Sequence, residues 1–161
     1  MSSCELPQPG HAASGKPDSA RSARVTAAGS RVHRFTPGNV NAWSGVPLQD
    51  YKAAATHHCG VTRSVLVGEH GERTSFHVRY FEIEPGGFTT RERHVHEHVV
   101  FVLRGSGVAL LGDTEHELRF GDTLYIAPNE VHQLRNTSTE ESFGFLCMVD
   151  AVRDVPIPVN R

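Results

Sequence analysis

Short runs of apolar residues alternate with polar and turn-forming residues along most of this chain. From Val61 onward this pattern predicts β-strands, because a half-buried strand repeats every second residue and no stretch keeps a helical period over three turns. Strands are predicted at residues 61–67, 75–84, 99–103, 108–111, 115–120, 122–127, 131–135 and 143–149. Many short strands at a spacing of about 8–12 residues are typical of a sandwich or a barrel. We therefore predict an all-β fold.

Turn-forming residues mark where the chain reverses between these strands. Pro85-Gly86-Gly87 closes the second predicted strand, and Gly112-Asp113 predicts a hairpin. The C-terminal segment 154–158 contains two prolines, which lack the backbone N–H that an interior strand donates. This segment is therefore not expected to form a central strand.

The composition changes near residue 40. Residues 1–40 are rich in Ser, Ala, Gly and Pro and have few apolar side chains. Such a segment cannot bury enough surface to offset its ordering entropy, so we predict a mobile N-terminal tail. An arm that wraps a partner subunit, or an imprecisely assigned start, are the alternatives. Residues 41–161, where Trp43 is the first large side chain suited to a core, are predicted to form one domain.

Charge and cysteine content exclude several classes of protein. The chain of 161 residues has 16 Lys and Arg against 18 Asp and Glu, a net charge of -2, so it has no sign of a nucleic-acid-binding surface. Cys4, Cys59 and Cys147 form no C-x-x-C pair. The N-terminus has no apolar core of the signal-peptide type, and no apolar run is long enough to span a membrane. We expect a cytoplasmic protein with free thiols that acts on a small molecule.

A histidine-rich stretch just before the third predicted strand suggests metal chemistry. Glu92, His94, His96 and His98 stand at every second position. In a strand such residues share one face, and neutral imidazole is the commonest metal-binding side chain. This spacing predicts a transition-metal site.

A second informative stretch reads strand, tight turn, strand. Pro128 presets the turn, and Asn129 tolerates a positive φ angle. The turn would return His132 to a position beside the preceding strand. A single histidine at the start of a strand is more often structural than a ligand, so its significance depends on the resemblance described next.

The two stretches resemble, in order, the two motifs of the cupin superfamily. The first family motif has Pro-Gly-Gly, a spacer, His-x-His-x-x-x-Glu and a glycine, which here is Gly105. The second has a glycine, a Pro-containing turn, a histidine and an asparagine, matched by Gly121, Pro128, His132 and Asn136. The resemblance covers about residues 60–150 and implies a single-domain double-stranded β-helix, also called a jelly-roll barrel.

The resemblance also implies a set of metal ligands, although two of its positions depart from the family pattern. His98 stands where the family has glutamate, and Glu92 stands where it has the first histidine. The implied ligands are His94, His98 and His132, with Glu92 as the fourth; His96 is the competing fourth ligand. This donor set suits Mn²⁺, Fe²⁺, Co²⁺, Ni²⁺ or Zn²⁺, and Mn²⁺ is our first expectation.

The candidate catalytic residues are Cys147, Tyr125 and His96. Strand alternation places Cys147 on the same face as two phenylalanines, so its thiol would approach the metal if that face is the interior. A small buried hydrophobic role for this cysteine is the alternative. Further candidates for the lining, and three arginines that could bind a phosphate or carboxylate, are Tyr80, Gln133, His77, Arg79, Arg91 and Arg93.

Within the cupins, the chain is similar to a bacterial branch that includes methylthioxylulose 5-phosphate sulfurylases of methylthioadenosine salvage. The similarity lies in residues 79–81, 84–87, 92–94 and 144–147. It implies a manganese enzyme that passes a methylthio group from a phosphorylated ketose to a thiol such as glutathione. An iron-dependent dioxygenase, a sugar-phosphate isomerase and a non-catalytic small-ligand-binding cupin are the alternatives. Cupins commonly form dimers, so a homodimer is expected.

Overall fold

The computed structural model describes residues 29–52 and 57–159, and all its regular elements are strands. No helix in this part of the chain is long and apolar enough to cross a membrane. In chain order the strands are β1 (Phe35–Thr36), β2 (Ala42–Trp43), β3 (Gln49–Asp50), β4 (Cys59–Val67), β5 (Phe76–Phe88), β6 (Glu92–Arg93), β7 (His98–Arg104), β8 (Ser106–Leu111), β9 (Thr114–Arg119), β10 (Thr123–Ile126), β11 (His132–Arg135), β12 (Phe143–Asp150) and β13 (Ile157–Pro158). The all-β prediction is confirmed.

Antiparallel pairing curls most of these strands into a barrel. The long strand β5 lies between β4 and β12, β12 also pairs with β7, and β7 pairs with β10. Strand β11 pairs with β5, β6 and β8, and β8 forms the predicted hairpin with β9. The strands therefore form the antiparallel β-barrel that the resemblance implies.

The inner face of the barrel is filled by the apolar residues of the alternating strands. Ile83, Val100, Ile126 and Phe143 have no exposed surface. Because side chains in a strand alternate between faces, Phe145 and Cys147 share this inner face, as the sequence predicts. The interior is thus apolar over most of its length, and polar side chains enter it near one end.

The histidine-rich stretch is not one continuous strand, in contrast to the expected alternation. Strand β6 ends at Arg93, the chain bends at Val95 and His96, and β7 begins at His98. The bend has a clear cause, since the backbone N–H groups of Val95 and His96 both donate to the Asp154 carboxylate, at 2.8 and 3.0 Å, and not to a neighbouring strand. A side chain from the C-terminal segment therefore shapes this stretch.

The chain termini confirm one prediction and leave another open. Strand β13 pairs only with the short β6 at the end of the sheet, as expected for a proline-containing segment. Most of the predicted tail, residues 1–28, lies outside the described residues. In the described part, β1 pairs with β2, and Arg104 donates to the backbone carbonyls of Gly38 and Asn39. The domain boundary near residue 40 remains a prediction.

Candidate metal centre

Three histidines converge at one end of the barrel. Each of His94, His98 and His132 offers a ligand atom, and these atoms all lie within 4.8 Å of one another. His94 follows β6, while His98 and His132 open β7 and β11. The predicted turn delivers the third of them: Asn129 has φ 63°, and its N–H donates to the His94 carbonyl at 2.7 Å. This hydrogen bond connects the segment that contains His132 to the histidine-rich stretch.

Hydrogen bonds fix which ring nitrogen of each histidine is free. Nδ1 of His94 lies 2.6 Å from the His96 carbonyl, and Nδ1 of His132 lies 2.9 Å from the Glu130 carbonyl. A carbonyl oxygen only accepts, so both Nδ1 atoms carry the ring proton and both Nε2 atoms have a free lone pair. Nδ1 of His98 lies 3.1 Å from the Cys147 sulfur, and its Nε2 is buried with no hydrogen-bond partner.

This arrangement fits a bound divalent metal ion. A buried nitrogen without a partner is costly, and a metal ion would satisfy it together with the two neighbouring Nε2 atoms. Metal-binding histidines characteristically donate their second ring N–H to a carbonyl or another acceptor, as these do. The donor set of three imidazoles is therefore a site that could hold a transition metal.

Electrostatics keep the three imidazoles neutral. Burial, with a smaller contribution from the neighbouring imidazoles, lowers the pKa of His94 to about 4 and that of His98 to about 2. Burial also lowers the pKa of His132. Only a neutral imidazole has a lone pair for a metal ion, so the site is ready to bind without losing protons at neutral pH.

Glu92 and His96, the competing fourth ligands, lie beside the three histidines but outside their group. Glu92 is buried and sits opposite His132 across the β6–β11 pair, and its carboxylate pairs with Lys52. The His96 ring stacks on the His94 ring with centroids 3.7 Å apart, and its Nδ1 bonds Asp154 at 2.6 Å. The assignment of a fourth ligand to Glu92 remains a prediction.

The histidines line a cavity of about 200 Å³. Its wall contains both apolar and polar side chains. The lining residues are Tyr51, Lys52, Arg63, Arg79, Phe81, Thr89, Thr90, Glu92, His94, His96, His98, Val100, His132, Leu134, Phe145, Cys147, Arg153, Asp154 and Pro156. We call this cavity the chamber. It is the part of the described structure in which a small molecule would meet the three imidazoles.

Cys147 lies in the chamber, where strand alternation predicted it. Its side chain is only 2% exposed, and its sulfur lies 3.1 Å from both Nδ1 of His98 and Nη2 of Arg79. Burial raises the pKa of this thiol, and the Arg79 guanidinium partly opposes that effect. The thiol is thus enclosed beside a candidate metal ligand and an arginine, both able to stabilise a thiolate.

Tyr125 does not lie in the chamber, which contradicts its expected place in the lining. It pairs with Val99 across β10 and β7, and because the inner face of β7 belongs to His98 and Val100, Tyr125 points outward. It is 54% exposed, and its hydroxyl donates to Glu97. Its catalytic role has no support from this geometry.

The other predicted lining residues are also absent from the chamber. Tyr80 is buried on the opposite face of β5, where its hydroxyl donates to Glu82 at 2.8 Å. Gln133 donates to the Thr89 carbonyl at 2.8 Å, and His77 does not contribute to the chamber wall. None of these three residues lines the chamber.

Of the three arginines singled out in the sequence, the chamber contains Arg79 alone, together with charged residues that the sequence analysis missed. Lys52, Arg63, Arg153 and Asp154 also line it. Alternation could have indicated Arg63, which shares a face of β4 with Val61 and Val65. The other three come from loops, whose position no local pattern predicts.

The fold and the chamber define a small β-barrel protein with a three-histidine site suited to a divalent metal. Residues 79–149 match the family model for the cupin domain, and this chain belongs to the cupin family. The 1-methylthio-D-xylulose 5-phosphate methylsulfurylase of Rhodospirillum rubrum is 41% identical over 115 residues, which cover 71% of this chain and 72% of that protein.

The chain is also similar to two other proteins. A crystal structure of a cupin 2 conserved barrel domain protein from Rhodopseudomonas palustris superimposes with a TM-score of 0.71 at 34% identity, covering 81% of this chain and 87% of that one. The auxin-binding protein 1 of Arabidopsis thaliana is 31% identical over 107 residues, which are 61% of this chain and 52% of that protein. This chain is thus similar to proteins that are named for different functions.

Proposed function

We propose that this cupin is a metal-dependent enzyme that removes the methylthio group from 1-methylthioxylulose 5-phosphate and passes it to a thiol. The observation that carries this proposal is the placement of Cys147, whose sulfur lies in the chamber 3.1 Å from the His98 ring. Similarity to the Rhodospirillum methylsulfurylase supports the choice of substrate.

The histidines and Glu92 would hold the metal ion, which we expect to be Mn²⁺. When bound, a divalent ion supplies Lewis acidity to the oxygens of a ketose. The side chains of the chamber contribute in two ways. Phe81, Phe145 and Leu134 exclude water, and the chamber encloses the sugar close to the thiol.

Cys147 is the proposed nucleophile. Its thiolate attacks the methylthio sulfur, so that a sulfur–sulfur bond forms while the bond between that sulfur and C1 of the sugar breaks. The electron pair of the broken bond stays on the sugar as an enolate with the C2 carbonyl, and C1 then takes a proton to become a methyl group. Carbon is reduced and the cysteine is oxidised to a mixed disulfide. Glutathione then takes over the methylthio group and restores the thiol.

His96 is the proposed proton carrier. It lines the chamber, and the Asp154 carboxylate 2.6 Å from its Nδ1 holds the ring in place. The proton released by the Cys147 thiol balances the proton that C1 takes, and the His96 imidazole would deliver a proton to C1. A cytoplasmic location and a homodimer complete the proposal.

Product analysis tests the proposal. The purified manganese-loaded protein would be incubated with 1-methylthioxylulose 5-phosphate and glutathione. We expect 1-deoxyxylulose 5-phosphate and the mixed disulfide of methanethiol and glutathione, in equal amounts and without oxygen consumption. Oxygen uptake with an oxidised sugar would favour the dioxygenase alternative, and absence of both products would contradict the proposal.

A non-catalytic small-ligand-binding cupin is the second candidate, and the similarity to an auxin-binding protein favours it. The two candidates differ in turnover. A ligand that binds the metal-loaded protein and is recovered chemically unchanged, with no methylthio transfer, would support the binding protein.

A further inference from the structure

Three arginines line the chamber and lie close enough to act on one another electrostatically. Arg63 on β4 and Arg79 on β5 share the inner face of the barrel, since Arg63 stands opposite Phe81 and Arg79 stands opposite Val65. Arg153 follows β12 and lines the same cavity. We call these three residues the arginine cluster.

The arginine cluster has no carboxylate partner in the described part of the chain. Four other arginines pair with acidic side chains within 4.0 Å, at Glu72, Asp113, Glu82 and Glu115, but none of the three in the cluster does. The two acidic residues of the chamber wall, Glu92 and Asp154, are paired with Lys52 and His96. Glu69 acts on Arg153 without an ion pair within 4.0 Å, and it accepts from the Gln49 amide. The positive charge of the cluster is therefore compensated only in part.

The hydrogen bonds of the cluster go to neutral acceptors or remain unmade. Arg63 donates to the Gln49 side chain at 2.8 and 3.1 Å, and Arg153 donates to the backbone carbonyl of Asp150 at 2.6 Å. Arg79 donates to the Cys147 sulfur, and its Nε is buried with no partner. Burial and the nearby Arg79 lower the pKa of Arg153, which reflects the repulsion between these cations.

We propose that the arginine cluster binds the phosphate group of a phosphorylated small-molecule substrate. A phosphate monoester is a dianion with three acceptor oxygens, and several planar guanidinium groups suit it better than they suit a single carboxylate. This inference deepens the proposed function and rests on it for the identity of the sugar.

The position of the cluster also sets the size of the substrate. Arg79 and His98 contact the same Cys147 sulfur from two sides, each at 3.1 Å. An anionic group bound to Arg79 would therefore be separated by only a few atoms from a second group of the same molecule that contacts the histidines. A short sugar phosphate meets this condition, because its phosphate and carbonyl oxygens are separated by a chain of a few carbons.

Direct binding tests the inference without requiring turnover. Titration calorimetry on the purified metal-loaded protein would compare D-xylulose 5-phosphate, D-xylulose, D-xylonate and inorganic phosphate. We expect D-xylulose 5-phosphate to bind about 10- to 100-fold more tightly than D-xylulose, as one or more charge-assisted hydrogen bonds would provide. D-xylonate should fall well below the phosphate ester.

Arginine variants locate the effect. Arg153→Gln and Arg79→Gln should each remove about tenfold or more of the preference for the phosphate ester. The matched control is Arg119→Gln, since Arg119 is exposed and lies outside the chamber, and it should retain the full preference. If Arg79→Gln fails to fold, Arg153→Gln decides alone, because the Arg153 side chain bonds only a backbone carbonyl.

Equal binding of D-xylulose and its 5-phosphate, or an equal loss in Arg119→Gln, would overturn the inference. A preference for D-xylonate would replace the phosphate with a carboxylate and overturn it as well. The proposed reaction fails separately: if no methylthio transfer occurs but Arg153→Gln still abolishes the preference for the phosphate ester, the anion site stands and the reaction falls.

Discussion

Replacement of Cys147 by serine separates its chemical role from its structural one. The sulfur accepts from two donors, Nη2 of Arg79 and Nδ1 of His98, inside a wall that leaves the side chain 2% exposed. A serine hydroxyl occupies the same place and can accept both bonds. We therefore expect Cys147→Ser to lower the free energy of unfolding by no more than about 1 kcal/mol.

Catalysis should respond very differently in this variant. A hydroxyl cannot form the mixed disulfide, so methylthio transfer in Cys147→Ser would fall at least about 100-fold, equivalent to about 2.7 kcal/mol in the barrier. Single-turnover mass spectrometry of wild-type protein without glutathione should find one methylthio group on Cys147. Unchanged transfer by Cys147→Ser would refute the covalent step while leaving the metal site untouched.

Cys147→Ala is the matched variant that removes the hydrogen-bond acceptor as well. It leaves the Nδ1 proton of His98 and one Arg79 N–H without their acceptor in a buried wall, at a cost of about 1–3 kcal/mol in stability. Because the bond to Nδ1 orients a candidate ligand, metal affinity should also fall by about 10- to 100-fold, whereas Cys147→Ser should retain it. Metal titration with a competing chelator measures both, and equal affinity in Cys147→Ala and wild type would contradict the orienting role.

Three further outcomes are expected. Elemental analysis should find that Glu92→Ala loses metal while His96→Ala keeps it. The reverse result would show that the fourth ligand is His96 and not Glu92. Arg104→Ala should lower the free energy of unfolding by about 2–3 kcal/mol in urea titrations. The reason is that Glu82, which is only 3% exposed, loses the cationic partner that lies 2.7 Å from its carboxylate. An unchanged midpoint of urea unfolding would contradict this prediction. The metal-free protein should lose stability as pH falls below about 6.5, by up to about 1.4 kcal/mol per pH unit for each of the three histidines. Burial lowers the folded-state pKa of these histidines, so below that pH the unfolded chain binds more protons than the folded chain. Equal unfolding free energies at pH 7 and pH 5 would show that His98 and its neighbours do not contribute in this way.

The sequence predicted what depends on local periodicity. Most strand positions, the inward orientation of Cys147 and the turn at Asn129 follow from alternation or from the conformational range of one residue, and the structure confirms them. The predicted strand end at Pro85-Gly86-Gly87 is wrong, because β5 continues through these residues to Phe88. The set of three histidines came from the resemblance to the cupin motifs, because alternation alone would have included His96 and left His132 as a structural residue.

What the sequence did not predict depends on contacts between distant loops. The strand that contains Tyr125 was predicted correctly, but the sequence does not show which face of that strand points inward. The pairing of Tyr125 with Val99 shows that Tyr125 lies on the outer face. Lys52, Arg153 and Asp154 follow no strand pattern, so only the folded chain brings them to the chamber. Periodicity identifies which residues share a face, but not which face encloses the site.

Asp154 illustrates why such a loop residue matters to the whole site. Its carboxylate accepts from the Val95 and His96 backbone and from the His96 ring, and these bonds create the bend between β6 and β7. Without that bend, residues 94–98 would continue as a strand, and His96 would stand on the same face as the two candidate ligands. The bend instead stacks His96 on His94, and His94 and His98 remain together with His132. The ligand set therefore depends on a carboxylate about 60 residues further along the chain as much as on the spacing of the histidines.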